Sequence, residues 1–228
     1  MRFPARRSRQ RTATRDEIIA TAWRQIGETG AVALSLRAIA REMGVTAPAL
    51  YRYYADRDAL VTTLLIDAFS SFTTALEAGR DACAPTDHAG RFRAICKAYF
   101  QWAADNAQRY QLLFGTPIEG YQFAAEVGPV AQRSFLVLQS VIGEAHAAGQ
   151  LNGEVTLPAS LHARYAALRQ IGMPYTEVVT QLALASWAML HGMTSLYLYN
   201  YMTGFVQDDV NTFIDYEIEN MIRALGLQ

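Results

Sequence analysis

The sequence predicts an all-α protein: a three-helix head carrying a helix-turn-helix, then a larger helical body, about nine to ten helices in total. Three observations lead there. Apolar residues recur at three- and four-residue spacing along most of the chain, 37 of the 228 residues are alanine, and no long run alternates apolar with polar as a half-buried strand would. An apolar fraction of 51% allows a sizeable core and excludes a disordered chain.

The elements follow in order. Thr14-Arg15-Asp16-Glu17 has the T-x-x-E form of a capping box, so a first helix is expected from Thr14, with residues 1–13 before it as a disordered basic arm. Ile18, Ile19, Ala22, Trp23 and Ile26 give that helix its apolar face, and Gly30 ends it. Ser35 caps a second helix with Leu36, Ile39, Ala40 and Met43 on one stripe, ended by Gly44. Thr46 caps a short third helix with Pro48 in its first turn, where the missing N–H costs nothing. Leu36, Ile39, Val45 and Leu50 are spaced to form a small core with Ile18, Trp23 and Ile26. Asp56 caps a long fourth helix whose buried face is Leu60, Leu64, Leu65, Ala68, Phe69, Phe72 and Leu76. Further helices are expected over 88–105, 107–115, 122–148, 158–171, 175–203 and 208–225, with breaks at Pro85, 115–117, Gly128-Pro129, 149–153, Met173-Pro174 and Gly204.

A net charge of −1 conceals a polarity along the chain. Residues 1–60 carry 11 arginines against 6 acids, and Arg2, Arg6, Arg7, Arg9, Arg11 and Arg15 all precede the first acid, Asp16. The rest of the chain is acidic. A basic segment on an acidic body suits an anionic partner, nucleic acid or a membrane surface. The membrane reading is weak because the basic segment has almost no apolar residues to insert, and Leu182–Tyr201 is interrupted by Ser186, His191, Gly192 and Asn200. Two cysteines without CxxC spacing exclude a disulfide scaffold, and no signal peptide is legible at the start. Catalysis finds no G-x-S-x-G, P-loop, G-x-G-x-x-G or H-E-x-x-H, and His88, His146, His162 and His191 make no ligand set with the cysteines. No cofactor, metal or catalytic residue is therefore expected.

The string Ser35-Leu36-Arg37-Ala38-Ile39-Ala40-Arg41-Glu42-Met43-Gly44-Val45-Thr46-Ala47-Pro48-Ala49-Leu50-Tyr51-Arg52-Tyr53-Tyr54, continuing to Leu60, closely resembles the DNA-binding signature of the TetR family of bacterial transcription regulators. The resemblance covers residues 14–60. Trp187-Ala188-Met189-Leu190-His191-Gly192 resembles the W-x-x-x-H-G pattern of one C-terminal domain class in that family, and residues 61–228 would be the effector-binding and dimerisation domain.

The resemblance implies roles residue by residue. Ser35 and Arg37 open helix 2, where an arginine can fork onto a guanine edge. Thr46 caps the recognition helix against a phosphate; Ala47, Pro48 and Ala49 face bases; Tyr51, Arg52 and Tyr53 contact base or backbone. Tyr54 is core. Arg57 replaces a more usual lysine at the start of helix 4 and holds a phosphate. Arg6, Arg7, Arg9 and Arg11 lie along the minor groove or backbone. An effector pocket would draw on Tyr99, Phe100, Trp102, Phe114, Phe135, Met189 and Met193, and a homodimer would form through Leu184, Ala188, Gly192, Phe213, Ile218, Met221 and Ile222. His191 is expected to be a hydrogen-bonded structural residue.

The implied function is a cytoplasmic, nucleoid-associated, ligand-responsive regulator. It would be a repressor that binds a palindromic double-stranded operator as a dimer and is released when a mostly apolar effector moves helix 4. The alternative is an activator or architectural DNA binder without an effector.

Overall fold

Ile18, Ala22 and Ile26 fall one turn apart and all three are buried, so the first helix commits one stripe to a core. This computed structural model describes residues 4–151 (side chains from residue 8), 155–170, 174–206 and 209–227. Among them are eleven α-helices, one 3-10 turn and no strand, as the sequence predicts. The chain divides into two compact units: residues 1–68 with 107–128, and residues 69–106 with 129–228.

The first unit holds α1 (Pro4–Thr29), a 3-10 turn (Ala31–Ala33), α2 (Leu36–Glu42), α3 (Ala47–Tyr51), the N-terminal part of α4 (Arg57–Asp81) and α6 (Ala107–Phe114). Ile18, Ala22, Leu36, Ile39, Ala40, Leu50 and Tyr54 form its core, each 5% exposed or less. Val45, expected in that core, is 41% exposed at the turn instead. Trp23 is half-buried: its Nε1 donates to Asp67 at 3.0 Å, and the Arg109 guanidinium lies 4.5 Å from its ring centroid. Arg109 also donates to Asp67 at 2.6 Å, so one carboxylate ties α1, α4 and α6 together.

Helix α1 starts well before the expected cap. The Thr14 hydroxyl donates to the Gln10 carbonyl at 3.0 Å, as a residue inside a helix does, and the basic segment is helical from Pro4. No glycine and no further proline interrupts residues 5–26, and arginine, glutamine and alanine are good helix formers.

The second unit holds the rest of α4, α5 (His88–Asp105), α7 (Val127–Ala147), α8 (Ala159–Arg169), α9 (Glu177–Leu198), α10 (Thr203–Val206) and α11 (Val210–Leu225). Helix α5 is central, packing against α9 and α11, while α9 also packs against α8 and α11. Phe72, Phe92, Tyr99, Leu138 and Ile218 are completely buried in this core. Helix α7 begins at Val127 with Pro129 in its first turn, so the Gly-Pro pair opens a helix instead of breaking one. Helix α9 stops at Leu198 because Asn200 takes a left-handed conformation, φ 64°.

Helix α4 is long and apolar enough to cross a membrane. Its apolar side chains Leu60, Val61, Leu64, Leu65, Phe69, Phe72 and Leu76 are instead buried within the protein.

Candidate nucleic-acid interface

Helices α2 and α3 pack on each other through Ile39, Ala40 and Leu50, and the turn between them closes by Val45 N–H donating to the Ala40 carbonyl at 2.9 Å. Gly44 sits in that turn at φ 67°, a conformation that a side chain would strain. The Ser35 hydroxyl accepts from Ala38 N–H and caps α2. On the other side, α2 is clamped to α1: Glu42 accepts from Arg24 at 3.0 Å and from Gln25 at 3.1 Å. These two hydrogen bonds hold the Glu42 carboxyl below the usual carboxylate range.

With one face of α2–α3 committed to the core, the other is free. Arg37, Arg41, Pro48, Tyr51 and Arg52 are exposed, and Ala47, Ala49 and Tyr53 are half-exposed. Thr46 is exposed, and its hydroxyl makes no cap bond within α3. Nothing larger than a methyl group stands at Ala47 and Ala49, so this face lets the helix backbone approach base edges closely. The arginines and tyrosines around it can reach phosphates. Arg37, Arg41 and Arg52 have no carboxylate partner among the described residues. Arg41 was not singled out in the sequence; its position four residues after Arg37, on the same side of α2, is the signal that finds it.

Arg57, expected to hold a phosphate, has other partners here. The Arg57 guanidinium donates to the carbonyls of Ala31, Val32 and Leu34 at 3.0–3.2 Å, so it closes the 3-10 turn between α1 and α2 and is not a free cation at the start of α4. Arg15 donates to the Tyr54 hydroxyl at 3.2 Å and lies over its ring. Tyr54 is core, as expected. Of the basic segment, Arg9 and Arg11 are exposed on α1; the side chains of Arg6 and Arg7 lie outside the described residues.

In the body, Trp187 is packed between Phe72, Tyr99 and Phe135, with centroid separations of 5.2–6.0 Å. The Tyr99 hydroxyl and His191 Nδ1 share a hydrogen bond of 2.9 Å, and burial pushes the imidazole's pKa down. The tryptophan and histidine of the W-x-x-x-H-G pattern are thus half-buried and pack against the core, while a side chain at Gly192 would meet only open space.

The residues expected to line an effector pocket are dispersed. Tyr99, Phe100, Trp102 and Met193 are buried in the second unit, Phe135 is half-buried against Trp187, and Met189 is 40% exposed. Phe114 lies in the first unit against Tyr110. A cleft of about 290 Å³ lies elsewhere, in the first unit, lined by Leu65, Leu112, Leu113, Pro117, Ile118, Tyr121 and Phe123 among others. No spacing signal marks it in the sequence, because these residues are separated by up to 58 positions and only tertiary packing joins them.

The residues expected at the dimer interface also divide. Leu184 and Ala188 are exposed on α9, and Gly192 and Phe213 are half-exposed. Ile218, Met221 and Ile222 face into their own body, 5% exposed or less, and cannot meet a second copy without reopening it.

Residues 18–64 match the description "Bacterial regulatory proteins, tetR family", and residues 92–221 match "Tetracyclin repressor-like, C-terminal domain". A curated HTH-type transcriptional regulator of Mycobacterium tuberculosis is 30% identical over 219 residues, which covers 92% of this chain and 91% of that protein. The crystal structure of SCO4313 aligns with a TM-score of 0.79 at 35% identity, over 95% of this chain and 98% of that one. A tetR-family regulatory protein from Rhodococcus RHA1 shares the fold at a TM-score of 0.66 and 16% identity, over 93% and 97% of the two chains. The helix-turn-helix, both domain matches and the near full-length relative agree: this chain belongs to the TetR family of transcriptional regulators, which are DNA-binding proteins and not enzymes.

Proposed function

We propose that the protein is a ligand-responsive repressor in the cytoplasm, acting at the nucleoid, that binds a palindromic operator as a homodimer and releases it when a small, mostly apolar effector binds. The observation that carries this reading is the free face of α2–α3, where Arg37, Ala47, Pro48, Ala49, Tyr51 and Tyr53 surround a helix that can enter the major groove. Arg37 reads a guanine, and the small residues of α3 sit against thymine methyls.

Dimerisation is supported by α9. Leu184, Ala188, Gly192 and Leu196 recur every four residues on a face that the protomer leaves open, with the two smallest residues at the centre. Two such helices can approach closely about a two-fold axis, and the two recognition helices then read half-sites one DNA turn apart.

The apolar cleft of the first unit supports effector release. It borders α6, which Arg109 ties to Asp67 of α4 and stacks on Trp23 of α1. A ligand that shifts α6 pulls on both, and Arg57 passes movement of α4 to the turn before α2. By linkage, DNA must weaken effector binding by the factor that the effector weakens DNA.

The test is fluorescence anisotropy of the purified protein on DNA tiled across the regions flanking its gene. Tight binding to one palindromic fragment, with at least ~1,000-fold preference over scrambled duplex, is expected. Weak and equal binding to every fragment and to genome-wide fragments contradicts the reading.

A further inference from the structure

We infer that the start of α1 and the end of the recognition helix together form a cradle for the DNA sugar–phosphate backbone, so that the basic segment is a rigid helical clamp. The inference rests on the DNA-binding reading above and deepens it.

A cleft of about 540 Å³ is lined by Gln10, Arg11 and Thr14 of α1 and by Arg52 and Tyr53 at the end of α3. Two guanidiniums, a carboxamide and the Tyr53 hydroxyl can donate into it, the Thr14 hydroxyl being bonded to the Gln10 carbonyl, and no carboxylate lines it. That donor set suits a phosphodiester, and the volume admits a sugar–phosphate segment instead of a lone ion. Arg11 and Arg52 have no acidic partner among the described residues, although Arg24 and Arg109 of the same unit are both ion-paired.

The cleft's wall is fixed by packing. Arg15, one turn beyond Arg11 on the same side of α1, is bonded to the Tyr54 hydroxyl and stacked over that buried ring. Arg15 is therefore a positioning residue, setting Arg11 opposite Arg52. Because α1 is continuous from Pro4 to Thr29, Arg11 is held at a constant distance from the recognition helix. A flexible arm threaded into the minor groove has no such constraint, and that difference separates the two modes.

The experiment measures binding of a 30-base-pair random-sequence duplex by anisotropy between 50 and 200 mM salt, comparing wild type, Arg11→Gln and Ala13→Pro. Ala13 is exposed and lies before the first core residue, Ile18, so proline there restarts α1 at residue 13, removes no charge and frees Arg11 from its fixed position. The clamp predicts that both variants lose about one phosphate contact: the log–log salt slope falls by about 0.9, and the advantage of wild type shrinks about 3.5-fold across that range. Netropsin, which fills the minor groove, leaves the wild-type advantage intact, and inorganic phosphate at constant ionic strength does not displace wild type selectively.

An unchanged slope in Arg11→Gln overturns the clamp. So does an Ala13→Pro variant that binds like wild type while Arg11→Gln is weakened, which is the signature of a flexible arm. Loss of the wild-type advantage in netropsin assigns Arg11 to the minor groove, and selective displacement by phosphate assigns the cleft to a free anion. Either overturns the proposal. Failure of wild type to bind duplex at all overturns the DNA-binding reading as well, whereas salt-dependent wild-type binding with unmoved variants sinks the clamp alone.

Discussion

The two compact units divide their arginines differently between ion pairs and open surface. In the unit centred on α5, six of the eight cations are matched to acids: Arg80 with Asp81, Arg91 with Glu144, Arg93 with Glu219, Lys97 with Asp215, Arg133 with Glu77 and Arg169 with Glu177. In the unit that carries the helix-turn-helix, Arg9, Arg11, Arg37, Arg41 and Arg52 have no such partner among the described residues. Charge that is already neutralised inside a protein contributes little to attracting a polyanion, and charge left bare at a surface contributes most. The composition-level polarity of the chain is thus also a polarity of use: most of the body's cations pair with acids, whereas in the head Arg24, Arg57 and Arg109 are committed to structure and the exposed arginines of α1–α3 are left bare for a partner.

Several substitutions sharpen that contrast. The largest effect belongs to neither set. Phe92→Ala removes a completely buried ring from the body core and should cost about 3–5 kcal/mol of unfolding free energy, read by denaturant titration. A cost below about 1 kcal/mol would mean that α5 is not the centre of that unit.

Arg37→Ala should leave stability within about 0.5 kcal/mol and weaken cognate DNA binding by about 1–3 kcal/mol, relaxing one base preference. Equal losses on cognate and scrambled duplex would demote Arg37 to a phosphate contact.

Arg57→Ala should behave in the reverse sense. The guanidinium serves three backbone carbonyls, so its removal should cost about 1.5–3 kcal/mol of head stability while the salt slope of DNA binding stays put. A fall in that slope without a stability loss would restore Arg57 to the phosphate role the sequence suggested.

The smallest effect is the pH dependence of the α5–α11 tie. Hydrogen bonding from Arg93 holds the Glu219 carboxyl below its ordinary value. A carboxylate with a depressed folded-state pKa stabilises the fold above its unfolded pKa of about 4.3 and loses that contribution as pH falls through the folded value. Glu219→Gln should therefore lower Tm slightly at pH 7 and converge with wild type on acidification below pH 4. Parallel Tm curves would deny the pair any role.

The head was largely legible in the sequence because its information is local. Ile18, Ala22, Ile39 and Leu50 are spaced to meet, Gly44 marks the turn, and what remains faces outward. The start of α1 was not legible, because Thr14-x-x-Glu17 fits a cap and a helix interior equally well; the choice is made by the uninterrupted helix formers before it. Helix α11 shows the other limit. Its stripe of Ile214, Ile218, Met221 and Ile222 announces burial, but a stripe does not say against what, and the structure gives it to α5 and α9 of the same chain. The membership of 107–128 in the head's unit comes from α6 packing on α1 and from Asp67 meeting Arg109, contacts which no spacing rule anticipates.

The most direct test of the contrast is the salt dependence of binding to one duplex by two charge-neutralised variants, Arg37→Gln/Arg41→Gln/Arg52→Gln in the head and Arg80→Gln/Arg93→Gln/Arg133→Gln in the body. The head variant's log–log slope should fall by about two to three while the body variant keeps the wild-type slope. Equal reductions in the two variants would show that the duplex responds to overall charge, and would contradict the assignment of the unpaired arginines to the interface.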